Sequence, residues 1–100
     1  MTEFPEWMKE NEDGTFTVTT RHGKYILEEQ TEEVVQTCSK LSEKAKVPME
    51  CLLVTRSLVG DSKINDDEFN KLKGSVSTKL KIAVTYLYDL GDFMPAHKAG

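Results

Sequence analysis

The stretch from residue 76 to residue 90 constrains this chain more than any other. Val76, Leu80, Ala83, Leu87 and Leu90 recur at spacings of 4, 3, 4 and 3, the period of one apolar helical face. Ile82 and Tyr86 flank that stripe on one side and Val84 and Tyr88 on the other, each pair at i, i+4. A helix that is apolar over most of its circumference is covered on more than one side. In a chain of 100 residues it is either the centre of the fold, or it puts one face on the core and another on a partner. Tyrosine, with an apolar ring and a polar tip, suits an interface that is sometimes wet. Ile82, Tyr86 and Tyr88 are therefore candidates for a protein-binding face, with a homo-oligomer as one option.

The length allows one domain with a modest core, hiding roughly 65% of the unfolded surface. Residues 1–14 read as an acidic arm. They carry five acids, Glu3, Glu6, Glu10, Glu12 and Asp13, against Lys9 alone, and the remaining twelve acids and twelve bases cancel. Phe4, Trp7 and Met8 stand at i, i+3, i+4, so a helical turn opened by Pro5 is expected. That turn is too short to be stable alone. It must dock on the body or on a partner, or stay disordered, and its three apolar residues join the candidate binding set.

Residues 15–91 read as the single domain. Thr15-Phe-Thr-Val-Thr-Thr20 alternates like a half-buried strand, Arg21-His-Gly23 makes a turn, and Lys24-Tyr-Ile-Leu-Glu28 returns; the pattern predicts a β-hairpin. A first helix is expected over 31–46, capped by Thr31, with Val34, Cys38, Leu41 and Ala45 inward. Val47-Pro48 breaks it. Pro48 opens a second helix with Met49, Leu52, Leu53 and Val59 inward, ended by Gly60. Asn65 caps a short third helix anchored by Phe69 and Leu72, and Gly74 stops it. Ser75 caps the fourth helix, over about 76–90, and Gly91 closes it. Residues 92–100, with Phe93 and Met94, read as a flexible tail. The class is α+β: an N-terminal β-hairpin followed by a small bundle of three to four helices.

Catalytic and cofactor patterns are not found in the residues. His22 falls in the hairpin turn and His97 in the tail, neither beside a cysteine or serine in sequence. The six glycines fall singly at element boundaries, unlike a phosphate loop. The run Gly60-Asp-Ser-Lys-Ile-Asn-Asp-Asp-Glu-Phe69 ends like an EF-hand loop. Placing Glu68 at the twelfth position, however, puts Val59 at the third and Ser62 where glycine is needed. Cys38 and Cys51 lack metal-ligand spacing and read as small buried hydrophobes. No cofactor, metal or enzymatic activity is expected.

Net charge −4 and a pI near 5.2 argue against a dedicated nucleic-acid binder. Lys71, Lys73, Lys79 and Lys81 nevertheless give four positive charges with no acid among them, a possible patch for an anionic partner. No signal-peptide pattern or membrane-length apolar run is present in the sequence, and a cytoplasmic location is expected.

The segment Thr15-Phe-Thr-Val-Thr-Thr-Arg-His-Gly-Lys-Tyr-Ile-Leu-Glu28 resembles the opening of small phage and prophage tail assembly chaperones: strand, glycine-centred turn, returning strand and capped helix. Cys51-Leu-Leu-Val-Thr-Arg-Ser-Leu-Val59, Ile64-Asn-Asp-Asp-Glu-Phe-Asn-Lys-Leu-Lys-Gly-Ser75 and Lys79-Leu-Lys-Ile-Ala-Val-Thr-Tyr-Leu-Tyr88 are similar to their C-terminal half. The resemblance spans about residues 15–90. It implies a non-enzymatic protein that binds a tape-measure protein during tail assembly, in several copies. The mechanism would be shielding of an apolar client helix. The alternative is a small cytosolic adaptor or regulatory domain that binds protein or nucleic acid through the lysine stretch.

Overall fold

The computed structural model describes residues 4–90. The expected closing glycine Gly91 and the tail containing Phe93, Met94 and His97 lie outside those residues. The fold is α+β, a three-stranded antiparallel sheet followed by four helices. The strands are β1 (Met8–Glu10), β2 (Phe16–Thr20) and β3 (Gly23–Leu27), in the order β1-β2-β3. The helices are α1 (Glu32–Ala45), α2 (Met49–Ser57), α3 (Asp66–Asn70) and α4 (Gly74–Leu87).

The hairpin expected at residues 15–28 is present, with Thr20 opposite Gly23 and Phe16 opposite Leu27. The helical turn expected for the arm is not. Met8 lies in β1, opposite Val18, and its side chain is buried. The i, i+3, i+4 spacing of Phe4, Trp7 and Met8 marks one reverse turn, closed by a Met8 N–H to Pro5 C=O bond of 3.0 Å. The chain then runs extended into a second turn at residues 11–14, where Gly14 takes φ +89°. There the Asp13 carboxylate accepts from the Thr15 N–H at 3.0 Å and from the Thr15 hydroxyl at 2.6 Å. These two bonds hold the Asp13 carboxyl below the usual carboxylate range. Residues 8–10 are therefore part of the domain's sheet, not of a separate arm ending at residue 14.

Helix boundaries follow the capping chemistry, with corrections. Thr31 does occupy the N-cap of α1, without a side-chain cap bond. Ala45, expected inward, is exposed, and Val35 beside the predicted stripe is half-buried instead. Helix α2 stops at Ser57, so Val59 is not on its inner face. Leu58 turns extended and bridges Leu27, and the Val59 N–H bonds Ile26 C=O at 3.1 Å. The Ser62 hydroxyl accepts from the Ile26 N–H at 2.9 Å. Residues 57–62, including a 3-10 turn at Gly60–Ser62, thus cover the outer edge of β3, which would otherwise expose unpaired backbone. Asn65 caps α3 in a full capping box with Glu68, two reciprocal bonds of 2.8 and 2.9 Å. Gly74 does not stop α3 but begins α4, with Lys73 rather than Ser75 at the N-cap.

Helix α4 is the centre of the fold. It packs on β2 on one side and on α2 on the other, and α2 in turn packs on α1 and α3. Val76, Leu80, Ala83, Val84 and Leu87 of α4 are buried against Val18, Leu27, Leu53, Val54 and Leu58. Fully burying a valine or leucine contributes about 1.5–3 kcal/mol, so this helix anchors both layers. It ends at Leu87 with Tyr88 at the C-cap, short of the expected Gly91. Asp89 takes φ +54°. The Leu90 N–H reaches Thr85 C=O at 2.8 Å and the Asp89 N–H reaches Tyr86 C=O at 3.3 Å, the bond pair of a Schellman cap.

Gly14→Ala forces an L-residue into the left-handed region and is expected to lower the unfolding free energy by about 1–2 kcal/mol. Gly74→Ala, in open space at a helical φ, is expected to be neutral or to stabilise by up to about 1 kcal/mol. Urea titrations of the two variants, read by Trp7 fluorescence, check the contrast.

Candidate functional site

The two flanks of α4 meet different surroundings. On the first, Phe4 lies 4.9 Å from the Phe16 ring and 6.3 Å from the Tyr86 ring, centroid to centroid. Trp7 lies under the Lys79 ammonium, 5.1 Å from the ring centroid, a cation–π contact. The candidate residues Phe4 and Tyr86 are thus brought together, while Trp7 lies under Lys79. Phe4 remains 39% exposed, the most open large hydrophobic among the described residues. Ile82 is half-buried, and Met8 is taken up by the sheet.

On the second flank, Tyr88 is fixed by its hydroxyl. That oxygen accepts from the Gln30 N–H at 2.8 Å and shares a 2.6 Å hydrogen bond with the Ser57 hydroxyl. It ties the loop before α1, the end of α2 and the end of α4 at one point. Burial pushes the Tyr88 phenol pKa up, partly offset by the bonds to Ser57 and Gln30. The ring of Tyr88 then forms part of a groove of about 810 Å³. Val35 of α1, Met49 of α2 and Leu90 complete its apolar floor. Glu29, Glu32 and Glu50 line its rim, with the amides of Gln30 and Gln36 and the Ser39 hydroxyl.

Sequence reasoning found Tyr88 but not the groove. Met49 and Leu90, expected on interior stripes, are half-buried. Val35 carried a usable signal: beside Val34 it widens the apolar face of α1 beyond the Cys38–Leu41 stripe. Nothing in the spacing shows that α1, α2 and the end of α4 border one groove.

The four lysines do not form one patch. Lys71 and Lys73 are exposed at the α3–α4 junction. Lys79 and Lys81 are two residues apart on a helix, about 200° around it. Accordingly Lys79 sits over Trp7, whereas the charge of Lys81 is felt by Cys51 on α2. A shallow depression beside Lys79, lined by Glu6, Thr20 and Arg21, carries both signs of charge.

Cys38 is buried and Cys51 half-buried, and both are free thiols. Burial raises both thiol pKa values, which disfavours the reactive thiolate. His22 is exposed in the β2–β3 turn, its N–H donated to the Thr20 hydroxyl. Among the described residues no three of His, Cys, Asp and Glu gather into a metal-holding group. Asp66, near Cys38, accepts from the Thr55 hydroxyl at 2.7 Å and pairs with Arg56 at 3.0 Å, which ties α3 to α2.

Tyr88→Phe removes a shared hydrogen-bond partner and is expected to destabilise the domain by about 1 kcal/mol at pH 7. The raised pKa adds a sign. The folded state keeps the phenol proton where the unfolded chain releases it. The contribution is full below the ordinary tyrosine value of about 10. It is lost as pH rises from there through the folded value. The wild-type chain should therefore lose more stability between pH 9 and pH 11 than Tyr88→Phe does, measured by paired denaturant titrations.

No protein-family model matches this chain, no curated protein matches it in sequence, and no solved structure matches it in fold.

Proposed function

We propose that this chain is a non-enzymatic assembly chaperone of the phage-tail type, which shields an apolar helical segment of a client protein until assembly. The client in this reading is a tape-measure protein, and the place of action is the cytoplasm of the host. The observation that carries it is the groove, whose floor of Val35, Met49, Tyr88 and Leu90 opens at the surface beside polar groups. Apolar floors with polar rims are how helices of partners are held.

In this reading the client is held away from most of α4. Most of the apolar surface of α4 is covered by β2 and α2, so the helix as a whole is not a docking face. Tyr86 faces Phe4, which leaves the Tyr88 end as the apolar surface with depth. Among the described residues no helix is long and apolar enough to cross a membrane. The dispersal of Lys79 and Lys81 gives no support to the adaptor reading through a lysine face.

Co-expression with a phage tape-measure protein tests the proposal. A soluble complex is expected, with the client insoluble when expressed alone. Val35→Asp and Met49→Glu, each placing a charge on the groove floor, should weaken the complex about tenfold or more while circular dichroism stays unchanged. No complex, or a complex that both variants leave intact, would overturn the proposal.

A further inference from the structure

We infer that the groove selects a basic amphipathic helix, one that sets aliphatic side chains on the floor and lysine or arginine against the rim. The inference takes the client-binding reading of the groove as its base and adds the chemistry of the occupant. The first argument is charge. Three carboxylates, those of Glu29, Glu32 and Glu50, line the groove, and among the described residues no lysine or arginine does. Glu32 and Val35 of the first turn of α1 and Met49 and Glu50 of the first turn of α2 line it, with Tyr88 at the C-cap of α4. Each helix end acts as about half a unit charge, positive for the two starts and negative for the finish. These ends offset only about half a charge, so the groove keeps between two and three negative charges. This is a local excess, because residues 15–100 as a whole balance acids and bases. An acidic segment seated there would meet like charge at close range, which suppresses wrong partners.

The second argument is shape. Both long sides are side chains of helices, Val35 and Gln36 of α1 and Met49 and Glu50 of α2. Among the described residues no strand edge lines the groove, so an extended peptide finds no backbone ladder to join. A helix needs none, since its backbone is already paired, and it presents anchors at i, i+3 and i+4. The Tyr88 ring, pinned by Ser57 and Gln30, is a preorganised contact for such an anchor. Its ordering cost has already been met in the free protein.

The test uses the full chain and three designed amphipathic peptides of about 18 residues, roughly five helical turns. All carry the same leucine face; the polar face is lysine, glutamine or glutamate. Titrations followed by amide NMR shifts give both affinity and location. The lysine peptide is expected to bind at least about tenfold more tightly than the glutamine peptide. Its largest shifts should fall at Val35, Met49 and Leu90, and binding should weaken as salt rises. Glu29→Gln, Glu32→Gln and Glu50→Gln combined should reduce that preference to less than about twofold with the fold intact. Equal binding of the lysine and glutamine peptides would overturn the charge preference yet leave client binding standing. Lysine-peptide binding without a tape-measure complex would do the reverse. No peptide binding, shifts elsewhere, or a dimer in sedimentation with the groove at its interface would each overturn the inference.

Discussion

Everything in this fold leans on the burial of α4 between β2 and α2. A helix with Val76, Leu80, Ala83, Val84 and Leu87 inside on an arc of about 100°, and Thr85 buried about 100° beyond Val84, cannot be covered by one layer. The sheet supplies one cover and α2 the other. The sheet in turn has too few strands to be stable alone, and its inner residues Met8, Phe16, Val18 and Leu27 need the helices. Neither layer is independent. A cavity made at Leu80 or Val84 would therefore loosen both layers at once.

The polar bonds then decide how the ends meet. Leu58 and Val59 leave α2 in extended form and bond β3, so the helical layer is hydrogen-bonded to the sheet as well as packed on it. The same crossing covers the β3 edge. At the opposite edge β1 is only three residues long and carries the exposed charges of Lys9 and Glu10. Short, charged edges resist pairing with other chains. No buried side-chain polar atom among the described residues lacks a partner, which the Thr55–Asp66 and Tyr88–Ser57 bonds help to secure.

Much of this order was legible from local chemistry. The hairpin turn at Gly23, the Pro48 break and the Asn65–Glu68 capping box depend on neighbours within four residues, and each is where spacing puts it. The first strand was missed because Phe4, Trp7 and Met8 imitate a helical period over a single turn. The Asp13-Gly14 pair carried the contrary signal, since Asp-Gly between apolar runs favours a hairpin. The end of α4 was misplaced because glycine was the expected terminator, and the cap instead uses Asp89 at positive φ. The candidate site failed differently. Tyr86 and Tyr88 sit on opposite flanks of one helix. Which flank is sealed depends on where the N-terminal residues and the loop at Gln30 fall, contacts across 82 and 58 residues of sequence. No period within α4 contains that information.

The groove is a consequence of chain stops rather than of any one element. Pro48 forces α2 to begin close behind the end of α1, the loop at residues 28–31 sets where α1 starts, and Asp89 turns the chain away after α4. The groove therefore runs along α1, from the loop before it, where α4 ends, to the start of α2. A helix end cannot interdigitate side chains as a helix flank does, because its last turn also exposes backbone groups that need polar partners. Glutamates at the starts of α1 and α2 serve that need through the helix dipole, and the Tyr88 hydroxyl accepts the Gln30 N–H in the loop before α1. The residues that make the helix ends stable are thus the ones that give the remaining cleft an acidic rim around an oily floor. Stability and recognition here draw on the same side chains. A partner-binding surface of this kind arises without any residue being set aside from folding for it.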